Sequence, residues 1–267
     1  MTAKRHGKTL NLRLDASLAQ GYTSNSQRSR RMTEGWATAN LYCIVCDSPK
    51  LSPHRNNRAV EDFYCPSCQR QVQLKAENGG IGRTVSNSAY EKKVAAIAAS
   101  RAPDYCFLGY DGDALMVDDL LWIPGHFITL SVVSKRNPLR KTARRSGWVG
   151  SNIHLDRVPD HGKIPLIVDR NPRPVLQVRK QFQATAFMQR LLPERRGWLA
   201  DVLACMDNQG IQTGQQFTNA DLYSLEDYLA PLHPRNHNLR PKIRQQLQVL
   251  ARHGLVERVR PGTYRRL

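Results

Sequence analysis

Two periods alternate along the chain. From Ser24, "SNSQRSRRMTEGWATANLY" opens on a capping serine, Ser24 or Ser26. It then repeats at helical spacing, which predicts a helix of about four turns. "VEDFYC" and "RQVQLKA" read at period two and predict strands on either side of a cysteine region at 43–68. "SNSAYEKKVAAIAASRA" carries Ala and Val on one helical face. "DYCFLGY" and "ALMVDDLLWIP" predict two strands joined at Asp111-Gly112, a hairpin signal. The acids around that turn (Asp111, Asp113, Asp118, Asp119) then read as turn and edge residues rather than metal ligands. Residues 134–162 show no period and predict a long, basic, turn-rich loop of the kind that is functional or disordered. "KIPLIVD" returns as a strand, "VLQVRKQFQATAFMQRLL" as an amphipathic helix, and "PERRG" as a boundary. Residues 1–22 read as irregular to strand-like.

The tail differs from what precedes it. "GWLADVLACMDNQG", "TNADLYSLEDYLA" and "NLRPKIRQQLQVLARHG" are three helical patterns, and "LVERVRPGTYRRL" is a pair of short strands around Pro261-Gly262. Three helices and a β-hairpin in this order are the plan of a winged helix, with the third helix directed to the major groove. The expected division is therefore a body at 1–193 and a winged helix at 194–267.

Charge narrows the partners. Among 267 residues, Lys+Arg number 40 and Asp+Glu 22, a net charge of +18. A field of that sign attracts polyanions, nucleic acid first. The N-terminus lacks the apolar centre of a secretory signal and no apolar run approaches the length of a spanning helix, so the chain reads as soluble and intracellular, not membrane-bound. Arg144 and Arg145 in the basic loop, with Arg140 and Lys141, are candidate phosphate or guanine contacts, as are Lys242, Arg244, Arg258 and Arg260 on the third helix and hairpin. The same tail used for protein contacts is the rival reading.

Cys43-x2-Cys46 and Cys65-x2-Cys68, with eighteen residues between the pairs, match a four-thiolate zinc pattern. A closed site of this kind is structural. Four ordinary core cysteines are the alternative. Cys106 and Cys205 read as small buried residues. Next to the knuckle, Asp62 and Lys75 are an acid and a lysine on neighbouring strands. Period two puts Gln73 and Lys75 on one face and Val72 and Leu74 on the other, so Asp62, Gln73 and Lys75 can converge on a hard cation such as Mg2+, with Leu74 offering only its carbonyl. By spacing alone this pattern is weak. His54 in "SPHRNN" beside four cysteines also suggests a His-Asn-His nuclease, but no histidine follows before His126.

In "YTSNSQRSRRMTEGW", "YCIVC", "NNRAVEDFYCPSC", "LKAE", "TARRSGWVGSNI", "RRGW" and "KIRQQLQVL" the chain resembles the DpnI family of restriction endonucleases, which includes the dam-replacing proteins. The resemblance runs nearly end to end. It implies an α/β fold with a mixed sheet, a PD-(D/E)xK core carrying a four-cysteine zinc site, and a C-terminal winged helix. It implies a type II endonuclease that cuts double-stranded DNA at GATC when the adenine is N6-methylated, acting in the bacterial cytoplasm as a monomer. Asp62 then corresponds to the first metal-binding acid and Lys75 to the catalytic lysine. Cys43, Cys46, Cys65 and Cys68 correspond to the zinc ligands, and Trp148 to the tryptophan that touches the methyl groups, where a core tryptophan is the bland reading. The helix and wing from about Arg235 correspond to a second methyl-sensitive reader. One position departs: Gln73 stands where the family has its second acid, so weaker binding of Mg2+ is expected rather than a dead site. Glu34 is a candidate supplementary acid. A non-cutting reader of methylated DNA is the rival from another class.

Overall fold

The computed structural model describes residues 10–54 and 61–267. Expectations for residues 1–9 and for Val60, the first residue of one predicted strand, lie outside the described residues. The elements are, in chain order, α1 (Asn25–Asn40), β1 (Ser52–Pro53), β2 (Phe63–Tyr64), β3 (Gln71–Asn78), β4 (Thr84–Ala89), α2 (Tyr90–Ala98), β5 (Asp104–Asp111), β6 (Met116–Ile123), β7 (Val133–Lys135) and β8 (Gly150–His154). There follow β9 (Ile164–Val168), β10 (Asn171–Pro172), α3 (Val175–Thr185), α4 (Pro193–Asn208), β11 (Gln216–Thr218), α5 (Asn219–Tyr223), α6 (Glu226–Leu232), α7 (Leu239–Arg252), β12 (Val256–Arg260) and β13 (Thr263–Arg266). The chain forms two compact units. The first takes residues up to Arg83, Pro103–Gly125 and Lys163–Gln183; the second takes Thr84–Ala102, His126–Gly162 and Ala184–Leu267.

The first unit is built on a seven-stranded mixed sheet in the order β1-β2-β3-β5-β6-β9-β10. Among the described residues, only its strands β3 and β5 run parallel. The central strand β5 is buried from Asp104 to Tyr110, as a strand covered on both faces must be, and so reads as an unbroken apolar run. Asp104 at its start is buried but not orphaned: its carboxylate accepts from Trp122 Nε1 (2.9 Å) and Gly125 N (2.7 Å) and pairs with Arg70 (3.1 Å). Helix α1 buries Met32, Thr33, Trp36, Ala37 and Asn40, one stripe at helical spacing.

The second unit contains two small sheets, β4-β8-β7 and β11-β13-β12. Two expectations change here. "SNSAYEKKVAAIAASRA" is not one helix: its first residues belong to β4, which pairs with β8, and the helix begins at Tyr90. The supposed 134–162 loop is largely a hairpin. Val133–Lys135 pairs with Ile153–Ser151, and the ladder is extended by Arg136 N to Gly150 O (3.0 Å), Leu139 N to Trp148 O (2.9 Å) and Gly147 N to Leu139 O (3.1 Å). "PERRG" is the first turn of α4, with Pro193 at a position where its missing N–H is harmless. From there the order helix, strand, two short helices, helix, hairpin is that of a winged helix. Thr218 and Asp221 form a reciprocal cap on α5, and α7 buries Ile243, Gln246, Leu247 and Leu250.

Candidate metal and DNA-binding sites

The thiols lie in two tight turns of the first unit. Cys43 and Cys46 follow the end of α1, while Cys65 and Cys68 occupy the turn between β2 and β3. Their four Sγ atoms lie within 4.8 Å of one another, with Cys43 to Cys68 at 3.6 Å and Cys46 to Cys65 at 3.5 Å. Sulfurs at the corners of a tetrahedron with the zinc–sulfur bond length would be about 3.8 Å apart, so the cluster could hold a zinc ion and is too open for disulfides. Burial opposes charge on Cys65, yet the N–H groups of Cys68 and Ser67 bring its thiol down to about 6. Arg179 of α3 fastens the first turn through Cys43 O (3.2 and 3.3 Å) and Asp47 (2.6 Å). Cys106 and Cys205 are buried elsewhere, as expected.

The turn that carries Cys65 and Cys68 also sets the strand pairing beside it. Phe63 faces Val72 and Tyr64 faces Gln71. Asp62, just before β2, donates its N–H to Val72 O (3.0 Å) and accepts Leu74 N–H on Oδ2 (2.8 Å). Burial raises the Asp62 carboxyl above its ordinary range, against the pull of the Leu74 N–H and the Lys75 charge. Burial lowers the Lys75 ammonium, with Asp62 opposing. The two half-buried groups therefore feel each other. Gln73 is 6% exposed, and its Oε1 is buried with no hydrogen-bond partner among the described residues. An unsatisfied buried acceptor beside a carboxylate costs free energy unless something electropositive meets it, which is what a hard cation does. Asp62 and Gln73 thus fit a divalent metal in donor type and placement. Glu34 on α1 is ion-paired to Arg30 (2.7 Å), and both charges bear on Asp62.

His54, the candidate base of the His-Asn-His reading, is committed otherwise. Its Nε2 meets Gln71 Oε1 at 2.7 Å and its ring stacks on Tyr64 with centroids 4.7 Å apart.

In the second unit, Trp148 is half-buried on the returning arm of the β7–β8 hairpin, just before β8, and Arg140, Lys141, Arg144 and Arg145 are near its exposed tip. The Arg145 guanidinium lies over the Trp148 ring at 5.0 Å. A Cβ at Gly150 would stand 2.9 Å from Trp148 Cη2 and Cζ3, so the ring rests directly on glycine backbone. In the winged helix, Arg244 is exposed and donates to Tyr223 Oη (2.8 Å), and Arg258 is exposed on the wing. Arg260 bonds Thr263 Oγ1 (3.3 Å). Lys242 is only half-exposed and lies over Trp198 (5.7 Å). Gln245, Gln248 and Arg252 share the exposed face of α7 with Arg244, and sequence reading passed over them. Their spacing at i, i+1, i+4 and i+8 was the available signal.

A mixed-sheet α/β unit with a four-thiolate cluster, together with a winged helix whose last helix, α7, exposes arginines and glutamines, defines a DNA-binding protein. The chain belongs to the Dam-replacing family: residues 10–191 match the DpnI model of that family, and residues 194–266 match the Dam-replacing HTH domain. The family is one of DNA endonucleases, and it suggests methylation-dependent restriction. Among the described residues no helix is long and apolar enough to cross a membrane.

Proposed function

We propose that this protein is a type II restriction endonuclease that hydrolyses double-stranded DNA at GATC sites carrying N6-methyladenine. The observation that carries the reading is the buried, unpartnered Gln73 Oε1 beside Asp62 and Lys75. Asp62, the Gln73 carbonyl and the Leu74 carbonyl would hold Mg2+ in a PD-(D/E)xK arrangement. Bound there, the ion would supply charge stabilisation at the phosphoryl oxygens and acidify a water. Lys75 would contribute a cation on the strand face it shares with Gln73, to position the attacking water and stabilise developing negative charge. The cysteine cluster, holding zinc, keeps the β2–β3 turn fixed and with it the spacing of Asp62 from Lys75. Trp148, on its glycine floor, offers apolar surface to the methyl group, which projects into the major groove as a thymine methyl does. Arg144 and Arg145 hold phosphate beside it. Arg244, Arg258 and Lys242 belong to the second reader, the winged helix at 194–267, following the nuclease body at 1–193. The enzyme would act as a monomer.

The test is digestion of matched methylated and unmethylated plasmids with a series of divalent metals. Cleavage of the methylated plasmid alone, abolished by Lys75→Ala, is expected. Intact methylated plasmid at high enzyme with Mg2+ or Mn2+ sinks the proposal. The missing charge at Gln73 favours one rival, a non-cutting reader, which predicts a methyl-dependent gel shift in chelator and no nicking with any metal.

A further inference from the structure

We propose that the hydroxyl of Tyr64 binds a backbone phosphate of DNA next to the scissile one, from a seat built by His54 and Gln71. The proposal rests on the nuclease reading of Asp62, Gln73 and Lys75. It adds a contact that the metal chemistry does not need.

The argument starts from register. Tyr64 stands opposite Gln71, and alternation along β3 sets Gln71, Gln73 and Lys75 on one face, the other being taken by buried Val72 and Leu74. Tyr64 lies in β2 two residues after Asp62, which stands just before the strand, so the two are at most about 6.8 Å apart along the chain. His54 confirms the assignment, because it touches Tyr64 and Gln71 together. Its own N–H donates to Asp62 O at 2.9 Å, so the short β1–β2 pairing brings it alongside the acid.

The contacts also fix the phenol. Gln71 Nε2 donates to Gln69 O (2.9 Å), which turns Oε1 toward His54 and makes it accept from His54 Nε2–H at 2.7 Å. His54, so oriented, lies against the Tyr64 ring at 4.7 Å and 29°. The hydroxyl of Tyr64 is engaged by none of the described residues, and the side chain is half-exposed. A donor held rigid without using its hydroxyl is prepared for an outside acceptor. On the face that carries a metal site for one phosphodiester, at a distance comparable to the step between phosphates, that acceptor is a phosphate oxygen. A strand that laid its scissile phosphate at Asp62 would run its neighbour past Tyr64.

The experiment uses the full chain and a methylated GATC duplex, with binding measured by anisotropy in chelator and cleavage measured separately with Mg2+. Tyr64→Phe keeps the ring and its stack on His54. It is expected to weaken binding about tenfold, the worth of a hydrogen bond to a charged acceptor, and to raise KM more than it lowers kcat. His54→Ala should lose part of the same affinity by freeing the phenol. Replacing backbone phosphates singly with neutral methylphosphonates should weaken native binding at one position beside the scissile bond, and Tyr64→Phe should be insensitive there. The idea is overturned if Tyr64→Phe binds within about twofold of native, if its binding retains that methylphosphonate sensitivity, or if kcat falls with KM unmoved. A native protein that binds but never cuts would instead refute the nuclease reading.

Discussion

Replacing Gln73 with glutamate tests the site through stability, before any cleavage is measured. Gln73 is 6% exposed and its Oε1 has no partner among the described residues, so glutamate would bury a charge of the same shape beside Asp62, whose carboxyl burial already pushes up. Facing side chains on paired strands sit about 5 Å apart, and at an effective dielectric of about 20 two like charges there repel by about 3 kcal/mol. Protonating a glutamate at pH 7 costs about 3.7 kcal/mol from its ordinary range, so repulsion and protonation are nearly balanced and the penalty saturates at about 3 kcal/mol. Its sign with pH follows from linkage. The folded protein raises the new group's pKa, so the variant is level with the native protein at low pH and falls behind as pH rises. Urea unfolding in chelator should show a loss of about 3 kcal/mol at pH 7.5 that shrinks to about 1 kcal/mol at pH 5 and vanishes below the ordinary glutamate range. Added Mg2+ should reverse the order, because the new charge then has a partner. Equal stability of the two proteins in chelator at pH 7.5, or a Mg2+ response no larger than that of the native protein, would refute the reasoning.

Three further outcomes are expected. Asp62→Asn should stabilise the metal-free protein at pH 7, since its carboxyl is raised by burial, and the gain should vanish as the pH falls below the ordinary carboxylate range; urea midpoints across pH measure it. Arg179→Ala removes the clamp on Cys43 O and Asp47, so release of zinc to a colorimetric chelator should quicken while a chelator excess unfolds native and variant alike. Gly150→Ala drives a methyl into the Trp148 ring at 2.9 Å, and the strain, about 1–3 kcal/mol, should shift Trp148 fluorescence and lower discrimination between methylated and unmethylated duplex.

The parts that were legible in the sequence have local causes. The two Cys-x2-Cys turns are legible because each pair is made by a single turn, and their spacing foretells the cluster that the Sγ distances bear out. The β5–β6 hairpin is legible because Asp111-Gly112 lies between two apolar runs. What escaped reading depends on partners distant in sequence. β4 has too few apolar residues to declare a strand, and is one because β8, more than sixty residues on, pairs with it. The hairpin under Trp148 is masked by its own basic tip, which carries no period. Lys242 is a candidate DNA contact by sequence, and its place over the Trp198 ring is set by the packing of α7, which the sequence does not reveal. At the candidate metal site, alternation gives the shared face of Gln73 and Lys75. The bond from Leu74 N to Asp62 and the stack of His54 on Tyr64 require a register that no single strand reveals.

The one parallel pairing in the large sheet also orders events in time. β3 and β5 are joined by an excursion from Gly79 to Pro103 that holds β4 and α2, so the pairing that completes the floor under Gln73 and Lys75 cannot form by a tight turn. The cysteine cluster closes over a similar stretch, Cys43 to Cys68, but an ion binding four thiolates offsets that loop entropy at once, whereas strand pairing recovers it contact by contact. During synthesis the knuckle can therefore form while β5 is still unmade. Metal supply in the cell would then govern how fast the enzyme matures, and an active nuclease would emerge only after the chain has passed β5.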